Sequence, residues 1–241
     1  MGQINLSIEN PWLKIVKDDC IIAECDKNAF PNNQSAAQYA EVVNNKKKSK
    51  IELTFSCLPD PFCGNPQSKV YCLNINPGKP DPCFSDEEAY KDATIKNLRL
   101  EQDSCFWAEN IKNKCGKSHD GIEWLKRRTM QLKKILDRHP NIFFIEYFPY
   151  HSSKRFNFPK HLPSYDFSDA LIKEAMKDGK LIIIMREKKG WLDRIDGLKD
   201  YKNLYCLKYP QGGYLTPQNI VAFNHTGSEN TISVNVIKEY F

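Results

Sequence analysis

Four short apolar segments, each followed by turn-forming or polar residues, constrain the fold of this chain more than any other feature. They cover residues 70–75, 142–145, 181–185 and 204–207. Their length and their branched and aromatic side chains are typical of β-strands. The segment at 181–185 is apolar throughout rather than alternating, which indicates a strand buried on both faces of a sheet.

Helical patterns separate these segments. Asp120 can cap a helix with one apolar stripe, and Ser164 precedes a second helix, which Gly179 can end. Residues 191–198 fit a short third helix, and the Thr-Pro pair at 216–217 predicts the start of a fourth.

This alternation of strands and helices predicts the α/β class. We expect a three-layer α/β/α arrangement around a central, mostly parallel four-stranded sheet. No repeat or linker divides the sequence, so one domain over residues 1–241 is expected. Residues 51–225 would form its α/β core, with residues 1–50 as an N-terminal extension packed on or near the core.

Composition excludes several classes of protein. With 41% hydrophobic and 12% aromatic residues, the chain is expected to fold rather than stay disordered. Its longest uninterrupted apolar run, at 181–185, has five residues and no leader pattern begins the sequence, which predicts a cytoplasmic protein without a membrane partner. The nine cysteines include no C-x-x-C pair, so free thiols and no metal site are expected. Phosphate-loop and dinucleotide motifs are absent too, and no cofactor is predicted.

Charge is informative through its position rather than its amount. The net charge is 35 − 30 = +5, and the basic runs at 46–50 and 126–134 are typical of solvated faces. A third run differs because Lys154, Arg155 and Lys160 are interleaved with Phe156 and Phe158. Alternating cations and aromatic rings are typical of surfaces that hold a nucleic-acid backbone and stack bases.

Two predicted strand ends are rich in functional side chains. Ligands bind beyond the carboxyl ends of strands in an open parallel sheet. Asn74 and Asn76 lie on a Pro-Gly turn after the first strand, and Glu146, His151 and Ser152 follow the second. Asparagine is also a common turn former, and a glutamate at a strand end can be a simple ion-pair partner. Together they mark the candidate site.

The segment Asn-Ile-Asn-Pro-Gly at 74–78 resembles the first active-site motif of the uracil-DNA glycosylase superfamily, in the branch that reads Gly-x-Asn-Pro-Gly. Residues 143–146 resemble the base-reading strand of that family, and 209–213 its last motif, over a chain order that covers about residues 50–225. Three positions depart from the pattern. Asn74 replaces the leading glycine, Glu146 replaces the base-reading asparagine, and Tyr209 replaces the histidine or asparagine that stabilises the leaving base.

The resemblance implies a monomeric DNA N-glycosylase that flips a base out of double-stranded DNA and cleaves its N-glycosidic bond without a cofactor. By this resemblance Asn76 holds the attacking water, Asn74 supports it, and His151 contacts the leaving group. The implied base pocket consists of Glu146, Phe84, Ile75 and Tyr147. The implied DNA contacts are Ser152, Lys154, Arg155, Gln211, Gly212, Gly213 and Tyr214.

The glutamate at position 146 bears on the choice of base. An ionised carboxylate only accepts hydrogen bonds, so it would pair with the N4 amine of cytosine and repel O4 of uracil. The leading expectation is therefore a modified cytosine in phage DNA, excised as antiphage defence. One alternative is a uracil-DNA glycosylase of base-excision repair, with Glu146 protonated by desolvation so that it donates to O4. Another is a non-catalytic nucleotide-binding module on the same fold.

Overall fold

The computed structural model describes residues 6–15, 21–46, 51–81, 84, 88–113, 116–223 and 230–241. The helices are α1 (Ala36–Asn44), α2 (Glu88–Leu98), α3 (Asp120–Leu136), α4 (Tyr165–Lys177), α5 (Lys188–Arg194) and α6 (Val234–Tyr240). The strands are β1 (Phe62–Cys63), β2 (Val70–Leu73), β3 (Ile142–Ile145), β4 (Leu181–Ile184), β5 (Leu204–Leu207) and β6 (Ile220–Ala222). Short 3-10 helices lie at Pro11–Lys14, Glu24–Asp26, Pro31–Asn33 and Leu198–Asp200.

Within the described residues the strands form one six-stranded sheet in the order β1-β3-β2-β4-β5-β6. The four predicted strands form its parallel centre, with Val70 paired to both Ile142 and Leu181. The predicted α/β class with a mostly parallel sheet is confirmed. The predicted count of four strands is wrong, because β1 and β6 add antiparallel edges. These edges have two and three residues, too few to give a periodic signal in the sequence.

Both faces of the sheet are covered. Every residue of β2, β3 and β4 is buried, which explains why these segments are apolar throughout. On one face Tyr71 and Leu73 pack with apolar residues of α4 and α5, and on the other Val70 and Cys72 pack with those of α3 and α6. None of the described helices has the length and apolar content needed to cross a bilayer.

Two of the predicted helices, α3 and α4, are confirmed. The prediction of a helix after residue 216 is wrong. The N-cap of α3 is His119 rather than Asp120, and Gly179 follows α4 with a positive φ of 71°. Thr216 instead opens a turn, in which its hydroxyl accepts a hydrogen bond from the Asn219 amide at 3.2 Å. The next residues pair antiparallel with β5, which satisfies their backbone groups without a helix.

The described part of the N-terminal segment packs into the same apolar cluster as the core. Trp12, Ile22 and Phe30 are each at most 3% exposed. A fully buried carboxylate, Asp26, accepts hydrogen bonds from the Tyr150 hydroxyl at 2.7 Å and from the Ser164 hydroxyl at 2.6 Å. Asp26 therefore joins this segment to the loop after β3 and to the start of α4. Most of the basic run at 46–50 lies outside the described residues.

We expect Asp26→Ala to lower the free energy of unfolding by roughly 3 kcal/mol or more, because it leaves the Tyr150 and Ser164 donors buried without an acceptor. Urea denaturation measures the change. Glu24→Ala, which removes an exposed carboxylate paired with Lys27, is the matched control and should change stability by about 0.5 kcal/mol or less. Equal effects of the two substitutions would contradict the role of Asp26.

Candidate functional site

A cleft of about 400 Å³ lies beyond the carboxyl ends of β2, β3 and β4. The chain passes from β2 to β3 on one side and then to β4 on the other, so the cleft occupies the switch point at which ligands bind in open parallel sheets. Its volume is within the range of small-molecule pockets. The lining includes residues 74–79, 119–122, 152–155, Asp60, Cys63, Tyr90, Trp107, Trp124, Glu146 and Arg186.

Asn74 connects the first motif to the second. Its backbone N–H extends the pairing of β2 by donating to the Ile145 carbonyl at 2.8 Å, and its carbonyl accepts from the Trp191 indole at 2.9 Å. Its side-chain Nδ2 donates to Oε1 of Glu146 at 2.9 Å. Asn74 is thus fixed at three points, and its amide orients the neighbouring carboxyl group.

Asn76 has one side-chain atom left for a ligand. Its Nδ2 donates to the carbonyl of Ser152 at 3.0 Å and to the Ser152 hydroxyl at 3.1 Å. Both amide hydrogens are used in this way, so Oδ1 is the atom that can accept a hydrogen bond from water. Ser152 is itself fully buried, and its hydroxyl donates to the Lys154 carbonyl at 3.0 Å. The loop after β3 therefore sets the direction of the Asn76 oxygen.

Glu146 presents a carboxyl oxygen without a partner. Oε1 accepts from Asn74, whereas Oε2 is shielded from solvent and has no hydrogen-bond partner among the described residues. Burial raises the pKa of Glu146 to about 8. The nearby charge of Asp60 also raises this pKa, whereas the hydrogen bond from Asn74 and the charge of Arg186 oppose the rise. At neutral pH the carboxyl group is thus mainly protonated. Because Oε1 already accepts an N–H, the proton belongs on Oε2, which becomes a donor.

Two candidate functional residues of the cleft, Asp60 and His119, were not predicted from the sequence. Asp60 precedes β1 and is brought to the cleft by the antiparallel edge, and burial raises its pKa to about 7. His119 stacks on Tyr90 with ring centroids 4.7 Å apart, and its Nδ1 accepts from the Gly121 amide at 3.1 Å. Burial lowers the pKa of His119 and so favours the neutral ring, and because Nδ1 accepts from Gly121 the ring proton lies on Nε2. A histidine directly before a predicted helix start was the available signal.

Three of the residues predicted for catalysis or for the base pocket are not part of the cleft lining. Phe84 is fully buried and packs edge-on against His119 at 5.0 Å, so it has no free face for a base. Tyr147 packs instead against Trp191 and Arg194. His151 lies between the carbonyls of residues 58 and 78, each 3.2 Å from a ring nitrogen, and burial lowers its pKa to about 4. It positions two loops and does not reach a leaving group.

Seven predicted residues do line the cleft: Asn74, Ile75, Asn76, Glu146, Ser152, Lys154 and Arg155. Arg155 lies at its edge, where its guanidinium forms two hydrogen bonds with Glu187 at 2.6 and 2.8 Å. The predicted contacts at 211–214 belong to the loop between β5 and β6. Arg186, which lines the cleft, donates to the Gln211 carbonyl at 2.6 Å and links that loop to the site.

Cations and aromatic rings alternate where this loop meets α3. The Arg128 guanidinium lies 4.6 Å from the centre of the Tyr214 ring and 5.4 Å from that of Trp124, which lines the cleft. Tyr214 is 48% exposed and Tyr209 is 65% exposed, with Lys208 stacked on the latter. We call Arg128, Lys208, Tyr209 and Tyr214 the cation–aromatic rim. Tyr209 does not line the cleft, so it is not placed to contact a ligand bound there.

Comparison with known proteins gives no match among family models, curated proteins or solved structures. Among the described residues, no group of three or more His, Cys, Asp or Glu side chains is arranged to hold a metal ion. The described cysteines, Cys25, Cys57, Cys63, Cys72, Cys105 and Cys206, are free thiols.

Proposed function

We propose that this protein is a DNA glycosylase that hydrolyses the N-glycosidic bond of a pyrimidine flipped out of duplex DNA and leaves an abasic site. One observation carries the proposal. Asn74 and Asn76 lie in one cleft with Glu146, which follows Asn74 by 72 residues, so that an amide able to bind water and a carboxyl donor line the same cleft at the switch point of the sheet. The order of motifs in the sequence supports it, as does a sheet covered on both faces.

The chemistry of the bond explains these residue types. Cleavage leaves positive charge on the sugar and negative charge on the departing base, and a water must be held near the sugar carbon. The Asn76 Oδ1 would hold that water. The Glu146 Oε2 proton and the His119 Nε2 proton would donate to the oxygens of the base as negative charge develops there. His119 thereby takes the role that Tyr209 cannot fill from outside the cleft.

The protonation of Glu146 changes the order of candidate bases. A neutral carboxyl donor suits an acceptor such as O4 of uracil or of a 5-substituted uracil, which supports a uracil-type base and a repair role. A modified cytosine, removed in antiphage defence, is the second candidate. It would pair best with ionised Glu146, a form that dominates only above about pH 8.

The base preference is tested by incubating the protein with duplexes that carry uracil, cytosine, hydroxymethylcytosine or its glucosylated form. Alkali-labile abasic sites are then counted. We expect cleavage at uracil at neutral pH. A non-catalytic module is indicated instead by salt-insensitive mononucleotide binding with no abasic sites on any duplex.

The cation–aromatic rim is proposed to contact the DNA around the flipped nucleotide. We expect Arg128→Ala to weaken duplex binding and to reduce the slope of log affinity against log salt by about one, because one phosphate contact is lost. Fluorescence anisotropy over a salt series measures both. Lys134→Ala removes the same charge from the last turn of the same helix and serves as the control. Equal slopes for the two variants would place the DNA elsewhere.

A further inference from the structure

We propose that Asp60 is a catalytic residue of this cleft, the carboxylate that takes the proton of the attacking water. This inference rests on the proposed glycosylase function. Neither the motifs in the sequence nor the resemblance assigns a role to Asp60, which precedes a two-residue edge strand. Three features carry the proposal: its attachment beside Glu146, the partner that orients it, and the charges around it.

Asp60 is held by two backbone hydrogen bonds to the segment that carries Glu146. The Glu146 amide donates to the Pro61 carbonyl at 2.8 Å, and the Asp60 amide donates to the Pro149 carbonyl at 2.9 Å. These bonds continue the antiparallel pairing of β1 with β3, in which Phe62 lies opposite Ile145. The two carboxyl groups therefore belong to one rigid edge and line the same cleft.

A buried amide orients the Asp60 side chain. Nδ2 of Asn97 lies 3.4 Å from Oδ1 of Asp60 and also donates to the Phe62 carbonyl. The Asn97 Oδ1 accepts from the Gly64 amide at 3.2 Å, so this fully buried side chain has both ends fixed. The described residues offer no hydrogen-bond donor to Oδ2 of Asp60. That oxygen is the one available to a water in the cleft.

The surroundings of Asp60 separate the roles of the two carboxyl groups. It is faced by Glu146 from the end of β3, by Cys63 from β1 and by Tyr90 from α2, while Arg186 acts on Glu146. Burial raises the pKa of Asp60 to about 7 and that of Glu146 to about 8. The charge of Asp60 raises the pKa of Glu146 further, so an ionised Asp60 helps Glu146 to keep its proton. A carboxylate beside a carboxylic acid is the combination that glycoside hydrolysis uses.

The water oxygen forms a bond to C1′ of the sugar while the bond from C1′ to the base nitrogen breaks, and that bonding pair leaves with the base. The water proton passes to Asp60. The Glu146 hydrogen bond spreads the charge on the base, which then takes a proton from solvent as Asp60 releases its own. The products are a sugar hydroxyl at the abasic site and the free base.

Asp60→Asn tests the inference because it keeps the size and the oxygen that faces Asn97 but cannot take a proton. We expect at least about a 10²-fold loss of single-turnover base release, with unchanged melting temperature. Binding to a duplex whose 2′-fluorinated nucleotide resists cleavage should also be unchanged. In the wild type the rate should fall below about pH 7, and this acid limb should be lost in the variant. Asp92→Asn, an exposed carboxylate on α2, is the control.

The outcomes separate this inference from the proposed function. A wild-type protein that releases base, with an Asp60→Asn variant that releases it within about twofold of that rate or keeps the acid limb, overturns the role of Asp60 alone. A folded wild type without activity on any duplex overturns the proposed function. If Asp60→Asn does not fold, the wild-type pH profile decides, and an active protein without an acid limb overturns the inference.

Discussion

Replacing Asn76 with alanine is expected to lower base release by about 10³-fold while the protein stays folded. The substitution removes Oδ1, the acceptor that would hold the attacking water, and truncates a half-buried side chain of a turn rather than one of the apolar core. The two hydrogen bonds to Ser152 are lost as well, but they connect loops and not strands. Single-turnover release of the base, measured beside the far-UV circular dichroism spectrum, separates chemistry from folding.

Ser152→Ala is the matched comparison for Asn76. It removes one of the two acceptors of the Asn76 amide and leaves the Ser152 carbonyl in place, so a loss of about tenfold is expected from the weaker orientation. A near-normal rate in Asn76→Ala would contradict the water-holding role. Equal losses in the two variants would assign the effect to the conformation of the loop.

A second large effect is expected at Glu146. If its proton donates to the base, the wild-type rate should fall about tenfold for each pH unit above about 8, since only the protonated form acts. Glu146→Gln carries a permanent neutral donor and should keep its rate across that range. Initial rates on a uracil duplex, measured for both proteins between neutral and alkaline pH, test this. A wild type whose rate does not fall above pH 8 would exclude the donor role.

The same proton affects stability. The native state raises the pKa of Glu146 from 4.5 to about 8, so between these values the folded protein binds more protons than the unfolded chain. The stability that the Glu146 proton contributes is therefore fully present below the unfolded pKa and is lost as the pH rises through the folded pKa. Glu146→Gln should remove this loss, so at alkaline pH its free energy of unfolding should exceed that of the wild type by a few kcal/mol. Urea denaturation at acidic and alkaline pH checks the sign, and a pH-independent difference would contradict it.

The parallel centre of the sheet was predictable because strands buried on both faces appear in the sequence as unbroken apolar segments. The same holds for α3, whose single apolar stripe packs on the sheet. The edges were not predictable, because β1 and β6 are too short for a pattern and depend on pairing with β3 and β5. The Thr-Pro pair at 216–217 carries a helix signal that this antiparallel pairing overrides.

The candidate site was likewise predictable only in part. Asn74, Asn76 and Glu146 follow buried strands that are apparent in the sequence as apolar segments, so the rule that ligands bind at strand ends was enough to find them. Asp60 reaches the cleft through an edge strand without a signal. The protonation of Glu146 depends on burial by residues distant in sequence, and a linear pattern does not contain that information. Phe84 failed as a stacking ring because its neighbours in space, Tyr90 and His119, cover it.

The most direct test of the central claim is the release of free base from a duplex that carries one uracil, followed under single-turnover conditions from about pH 5.5 to 9.5. We expect free uracil and abasic sites in equal amounts, with a rate that falls in acid as Asp60 takes up a proton and falls in alkali as Glu146 loses its own. A folded protein that releases no base at any pH, from this duplex or from those with modified cytosine, would contradict the account.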